Sequence, residues 1–162
     1  MPAGSTYTPI ATTTLGSAQS SYTFSSIPST YTDLILVVAG TLSTGSDLYA
    51  QFNSDTGNNY GKILVYSVDG AGHGSAAYAN VAQIGFANLS TVQGNSIMHV
   101  MNYANTTTFK SVLSRSTNGG TGLQMNVGCW RSTSAINAIK VYPAAGNLSS
   151  GFVLTLYGIA SA

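Results

Sequence analysis

Short runs in which apolar and polar residues alternate fill most of this chain, and no helical period persists over a useful length. In the segment 96–103, for example, Ile97, His99 and Met101 fall on one face of a predicted strand. The segment 33–39, DLILVVA, is apolar without interruption after its aspartate, which is typical of a strand buried on both faces. The pattern predicts about ten short strands rather than alternating strands and helices.

Turn-forming residues separate these runs. The sequence Asn-Gly-Gly at 118–120 is a strong hairpin signal. The glycine-rich stretch 69–74 is predicted to be a mobile loop, and 78–86 to be a single strand. No repeat of fixed period and no linker divides the chain. We therefore expect an all-β fold: one antiparallel β-sandwich domain over residues 1–162, jelly-roll-like, with 1–9 as a candidate extended N-terminal arm.

Ionisable side chains are scarce in this sequence. Its 162 residues include 5 Lys or Arg and 4 Asp, with no Glu, whereas about a quarter of a typical domain is charged. Catalysis therefore has few groups to use, and the surface must be wetted by hydroxyls and amides. A formal net charge of +1 also gives little repulsion between copies. We expect a protein that associates with other molecules rather than an enzyme.

Several partners and compartments are disfavoured on the same grounds. The five basic residues are scattered, whereas a nucleic-acid site would cluster them. The longest apolar run, 34–39, is far shorter than a bilayer requires, and residues 1–5 do not resemble a secretory signal. We expect no nucleic-acid or membrane partner, and synthesis in a reducing cytoplasm. Cys129, which stands alone, is predicted to be a small buried hydrophobe.

One loop carries oxygen-bearing side chains on alternate positions. Asn53, Asp55 and Asn59 surround Gly57 in a spacing that superficially resembles a calcium-binding loop. The third acidic position and the bidentate glutamate of such a loop are missing. We favour an ordinary turn in which Asn and Asp side chains bond to the backbone, and we assign no metal ligand here.

The other ionisable residues do not form a catalytic pattern either. His73 lies in a glycine-rich loop and His99 in a strand, with no Cys or Glu nearby to complete a zinc site. Because His99 shares a face with Ile97 and Met101, we expect a core or interface histidine. No acid is spaced to orient a histidine, and the glycines of 70–74 do not lead into a helix as a phosphate loop would. We assign no catalytic, cofactor-binding or metal-binding residue.

Aromatic side chains are the remaining candidates for binding. Packing within strands is the favoured role for most of them. The tyrosines around the loop-rich middle of the chain are candidates for exposure, namely Tyr49, Tyr60, Tyr66 and Tyr78. Three aromatic residues near the C-terminal end are expected to pack in the sheets, namely Trp130, Tyr142 and Tyr157.

Four longer stretches resemble a known family. They are ATTTLGSAQSSYTFSSIPSTYTDLILVV (11–38), LYAQFNSDTGNNY (48–60), VMNYANTTTFKSVLSR (100–115) and GCWRSTSAINAIKVYPAAGNLSSGFVLTLYGI (128–159). Together they resemble a family of small virion proteins of tailed phages. The resemblance is weakest over 68–93, where partner specificity is expected to lie. It implies a β-sandwich virion component, either head-associated or tail-associated, and it brings no catalytic motif.

The resemblance and the low charge lead to one expectation and one alternative. We expect a capsid decoration (cement or knob) protein, a homotrimer on the exterior of the capsid that binds the major capsid protein lattice. Its interface is expected to bury well over ~800 Å², the upper range of crystal-packing contacts, and to be rich in Thr, Ser, Asn and Tyr. The alternative is a tail-fibre or receptor-binding β-domain that recognises host surface glycan. A β-sandwich lyase or hydrolase is disfavoured.

Overall fold

The computed structural model describes residues 6–68, 72–119 and 122–160. These residues form twelve strands: β1 (Tyr7–Thr14), β2 (Tyr22–Phe24), β3 (Asp33–Gly40), β4 (Ser46–Phe52), β5 (Tyr60–Val68), β6 (Gly72–Val81), β7 (Ile84–Leu89), β8 (Gly94–Met101), β9 (Lys110–Thr117), β10 (Gly122–Trp130), β11 (Ile139–Pro143) and β12 (Val153–Ile159). The described ranges contain no helix that is long and apolar enough to cross a membrane.

The strands form two antiparallel sheets. An eight-stranded sheet has the order β1-β12-β3-β8-β9-β10-β5-β6, and a four-stranded sheet has the order β2-β11-β4-β7. The prediction of an antiparallel, jelly-roll-like β-sandwich is thus confirmed, although the described residues contain twelve strands instead of about ten.

The core lies where the two sheets face each other. Leu34, Leu36 and Val38 of β3 point into it and have no solvent exposure. Ile35, on the opposite face of β3, is 5% exposed, but Val37 beside it is partly exposed. The prediction that β3 is buried on both faces therefore holds along only part of the strand.

The segment from 69 to 89 differs from the sequence prediction. Residues 69–71 lie outside the described part of the chain, but Gly72–Val81 is a strand that pairs with β5, with one shift of register near its end. The predicted single strand 78–86 is divided between β6 and β7, which belong to different sheets. Glycine and alanine have low strand propensity, so the strand character of β6 comes from its pairing with β5 rather than from its own side chains.

The N-terminal residues also take part in the sheet. Of the candidate arm over 1–9, residues 1–5 are not described, whereas Tyr7, Thr8 and Pro9 pair with β12. Pro9 lies beside a shift in the register of this pairing. Because β1 is an edge strand, the missing N–H of proline is tolerated there.

The arrangement of apolar and polar side chains is reversed at one end of the large sheet. On β9 and β10 the inward side chains include Ser114, Ser116, Gln124 and Asn126, all of which are buried. The outward side chains of the same strands include four exposed apolar residues, namely Leu113, Leu123, Met125 and Val127. The strand β7, at the edge of the small sheet, packs against β8, β9 and β10, and the inner face of β5 and β6 beyond it remains partly open.

Candidate functional site

Aliphatic side chains project into solvent from the outer surface of the large sheet. Six of them lie on the adjacent strands β9, β10 and β5 and are between 39% and 66% exposed. We call this surface the apolar face; its members are Ile63, Val65, Leu113, Leu123, Met125 and Val127. Single exposed aliphatic residues are ordinary, but a contiguous group of this kind marks an interaction surface.

The strand register makes the apolar face continuous. Val127 of β10 pairs with Ile63 on one side and Leu113 on the other, which sets three aliphatic side chains in a row. Met125 pairs likewise with Val65 and Arg115 in the next row. A shallow cavity of about 690 Å³ runs over the second row. The face is therefore grooved rather than flat.

A histidine–aspartate pair borders the apolar face. Nε2 of His99 on β8 lies 2.8 Å from Oδ2 of Asp33, and the other carboxylate oxygen accepts a 2.7 Å hydrogen bond from the backbone N–H of Asn102. The interpretation that no acid is placed to orient a histidine was wrong. The two residues are 66 positions apart, and only the pairing of β3 with β8 brings them together.

The free thiol lies on this side of the sheet as well. Cys129 is partly exposed, because it alternates along β10 with the buried Trp130. The prediction of a small buried hydrophobe was therefore wrong: burial of the indole turns the neighbouring thiol outward.

A second candidate site lies on the opposite face of the same strands. A cavity of about 310 Å³ opens between the inner side of β5, β6, β9 and β10 and the edge of the small sheet formed by β4 and β7. We call it the groove. The lining side chains that carry its chemistry are Asp47, Tyr66, Tyr78, Asn88, Ser116 and Gln124.

Polar groups of the groove are organised by a hydrogen-bonded network. Nε2 of Gln124 donates to Oδ1 of Asn126 at 2.9 Å, and Nδ2 of Asn126 donates to Oγ of Ser114 at 3.1 Å. Across the groove, Nδ2 of Asn88 donates to Oδ1 of Asp47 at 2.9 Å. Ser116 is only 6% exposed, and its hydroxyl has no hydrogen-bond partner among the described residues. A buried hydroxyl in this state is uncommon.

A lysine spans the two sheets at one end of the groove. Lys62 of β5 passes over Gly85 of β7, where a side chain would collide with it. Its Nζ lies 5.1 Å from the ring centre of Tyr49 and 4.9 Å from that of Tyr78. Burial lowers the pKa of the Lys62 ammonium, and the negative charge of Asp47 partly opposes this shift. The cation thus holds both tyrosine rings in place.

The loop considered for calcium is held together by its own hydrogen bonds. Oδ1 of Asp55 accepts from the backbone N–H of Gly57 at 2.8 Å, which is the predicted side-chain turn. Oδ2 accepts from Nε1 of Trp130 at 2.7 Å, and Nδ2 of Asn59 donates to the same carboxylate. Asn53 bonds instead to the backbone of Ala135, Asn137 and Ala138. The carboxylate therefore faces N–H donors.

The exposure of the tyrosines was predicted in part. Tyr66 and Tyr78 are 41% and 47% exposed, as expected for binding candidates. Tyr60 is fully buried, in conflict with its predicted exposure, because its ring packs between Phe52 and Trp130. Its hydroxyl also donates to the backbone carbonyl of Asp55 at 3.1 Å.

The buried Lys110 is a structural residue that sequence reasoning did not identify. Its Nζ donates to the carbonyl oxygens of Asn105, Thr108 and Thr133 at 2.6, 2.9 and 3.3 Å. Burial lowers the pKa of this ammonium, and the carbonyl acceptors compensate its charge. No local pattern in the sequence distinguishes it from an exposed strand lysine.

Comparisons with known proteins identify no family for this chain. No protein-family model and no curated protein matches the chain. Among solved structures, an exo-inulinase from Aspergillus awamori is 11% identical with a TM-score of 0.47; the match covers 94% of this chain and spans 29% of the enzyme. Galectin LEC-6 from Caenorhabditis elegans is 10% identical, with a TM-score of 0.38 and coverage of 93% and 96%. Domains LG4–5 of mouse laminin α1 are 19% identical, with a TM-score of 0.35 and coverage of 90% and 40%.

Proposed function

We propose that this protein is a structural subunit of a tailed-phage virion, a capsid decoration protein that acts by association rather than by catalysis. The apolar face is the observation that carries the proposal. Nothing in the sandwich itself requires aliphatic side chains on the outside of β5, β9 and β10, because the core lies on the other face. The sequence resemblance to phage virion proteins supports the same assignment.

The size of the apolar face suits a contact that forms within an assembly. Burying the exposed parts of its six side chains would contribute roughly 5–9 kcal/mol. Association of two proteins costs about 4–15 kcal/mol in lost rigid-body freedom. One such contact is therefore weak by itself, but a symmetric oligomer on a capsid lattice repeats it many times.

We assign the apolar face to contacts between copies of this chain, with a trimer as the favoured state, and other surfaces to the major capsid protein. A net charge of +1 gives little repulsion between the copies. The expected composition of the interface changes with this assignment. It becomes aliphatic, with threonine, serine and asparagine at its rim instead of its centre.

Two valines allow a matched test of the apolar face. Val127 lies within it and Val92 lies in the β7–β8 loop, and both are 55% exposed. We expect Val127→Asp to abolish oligomers in sedimentation-velocity experiments and to remove the thermal stabilisation of purified capsids, because it buries an unpaired charge in the interface. Val92→Asp should behave as the wild type in both assays. Equal behaviour of the two variants would remove the apolar face from the proposal.

The capsid role needs its own measurement. Capsids lacking the protein should survive a thermal or osmotic challenge less well than capsids to which it has been added back. Immunogold labelling of virions should place it over the head, and Cys129 should react with a maleimide in the free subunit but be protected in the virion. An unchanged capsid stability, or label on the tail, would count against a decoration protein.

A further inference from the structure

We propose that the groove binds a neutral saccharide, with one pyranose ring held between the tyrosines and the polar strands. Its cavity of about 310 Å³ is at the lower end of the size range of small-molecule sites. The polar side chains of the groove lie on the other side of the sheet from the apolar face, although Leu123 of that face also borders the cavity.

Unsatisfied polar groups at the bottom of the groove call for a ligand with hydroxyls. The Ser116 hydroxyl is buried without a partner, which is costly unless a ligand group bonds to it. Nε2 of Gln124 is engaged by Asn126, which leaves the Gln124 carbonyl oxygen as an acceptor. On the opposite wall, Oδ1 of Asp47 accepts from Asn88, and no described residue donates to Oδ2. Sugar hydroxyls can donate to these oxygens and accept from the Ser116 hydroxyl.

Two tyrosine rings supply apolar faces beside these polar groups. The ring of Tyr66 lies over Gly74, where even a Cβ would come within 2.7 Å of the tyrosine hydroxyl. Tyr78 is 47% exposed and is positioned by Lys62. The apolar C–H faces of a pyranose pack well on such rings, while its hydroxyls reach the strands. A purely apolar ligand would leave Asp47 and Ser116 unpaired.

The charges around the groove favour a neutral ligand. Asp47 lines the cavity, and an anionic ligand would be repelled by its carboxylate. Lys62 lies nearby, but its ammonium is directed at the rings of Tyr49 and Tyr78. The Asp47 carboxylate therefore remains as an acceptor for hydroxyl donors, and we assign a neutral hexose as the recognised unit.

The test uses the whole chain and a panel of neutral disaccharides containing glucose, galactose or mannose. Saturation-transfer NMR at up to about 10 mM should detect binding of at least one of them, and calorimetry should then give its affinity. Ser116→Ala should weaken that affinity by about tenfold or more while the unfolding temperature stays the same or rises. A merely structural serine would lower the unfolding temperature instead. Tyr78→Ala should weaken binding to a similar degree.

Two controls separate the groove from other surfaces. Tyr7, at the opposite edge of the large sheet, is 53% exposed, and Tyr7→Ala should bind as the wild type does. Val127→Asp, in the apolar face, should also bind normally, so that failure of the assembly proposal leaves this one intact. The saccharide assignment would be overturned if no sugar of the panel binds. Binding that is unaffected by both Ser116→Ala and Tyr78→Ala would overturn it too.

Discussion

Individual ionisable residues in this protein are used to build the structure. Asp55 joins a turn, an asparagine and the buried Trp130, and Lys110 joins three carbonyl groups. Because the chain holds 4 acidic residues, each one accounts for a large share of any acid-dependent change in stability. Acid unfolding can thus be related to particular side chains to an extent that is rare in ordinary domains.

Asp55 provides a pH-dependent test at this scale. Burial raises the pKa of its carboxyl, but hydrogen bonds from Trp130, Asn59 and Gly57 outweigh this effect and hold the pKa below its ordinary value. A lowered folded-state pKa contributes stability above about pH 4 that is lost as the pH falls further. We expect Asp55→Asn to cost about 1–2 kcal/mol at pH 7, and this cost to shrink as the pH falls below about 4. Urea unfolding across this pH range would measure the difference in unfolding free energy between the two proteins. A difference that does not change with pH would contradict the prediction.

A substitution at Gly158 tests how closely β12 approaches the ring of Tyr31. A Cβ at this position on β12 would lie 2.2 to 2.5 Å from ring carbons of Tyr31. Gly158→Ala should therefore destabilise the fold by about 1–3 kcal/mol through overpacking. Gly16 is a matched control, since a Cβ there meets nothing within 4 Å, and Gly16→Ala should be neutral or slightly stabilising. Equal unfolding free energies for the two variants would show that the Tyr31 ring moves aside freely.

At the scale of elements, the alternation of apolar and polar residues predicted where the strands lie better than it predicted which face of each strand points inward. Along β9 the exposed Leu113 and Arg115 alternate with the buried Lys110, Val112 and Ser114, as the two-residue period of a strand requires. It is the lysine and serine face that points inward, because backbone carbonyls and neighbouring strands satisfy those polar groups. The hydrophobicity of the residues alone does not reveal which hydrogen-bond partners will satisfy them.

Both candidate sites depend on pairings that local patterns do not contain. The groove takes its side chains from six strands, and β6, at its open side, was expected to begin as a loop. Tyr66 and Tyr78 could be proposed as binding residues, but their relation to Ser116 and Asp47 follows from the sheet order alone. The pair of Asp33 and His99 was missed for the same reason. The chemistry of single residues could thus be predicted from the sequence, whereas their arrangement into sites could not.

For the whole molecule, the shortage of charge and the apolar face both favour association. Charged side chains on strand edges and faces normally oppose sheet-to-sheet association, and this chain has few of them. In the two rows that cross β5, β10 and β9, Arg115 stands among aliphatic neighbours. The surface is therefore suited to contacts held by apolar burial with little contribution from ion pairs.

Salt should leave the proposed self-association of this protein intact. An interface held by exposed ion pairs is screened as the ionic strength rises from about 0.05 M to about 1 M, because the Debye length shrinks from over ~10 Å to about 3 Å. Apolar burial is not screened in this way, and sulfate strengthens it. We expect the oligomer dissociation constant, measured by analytical ultracentrifugation, to change by less than about threefold in NaCl and to fall in ammonium sulfate. Weakening by more than about tenfold at 1 M NaCl would assign the contact to the few charged residues instead of the apolar face.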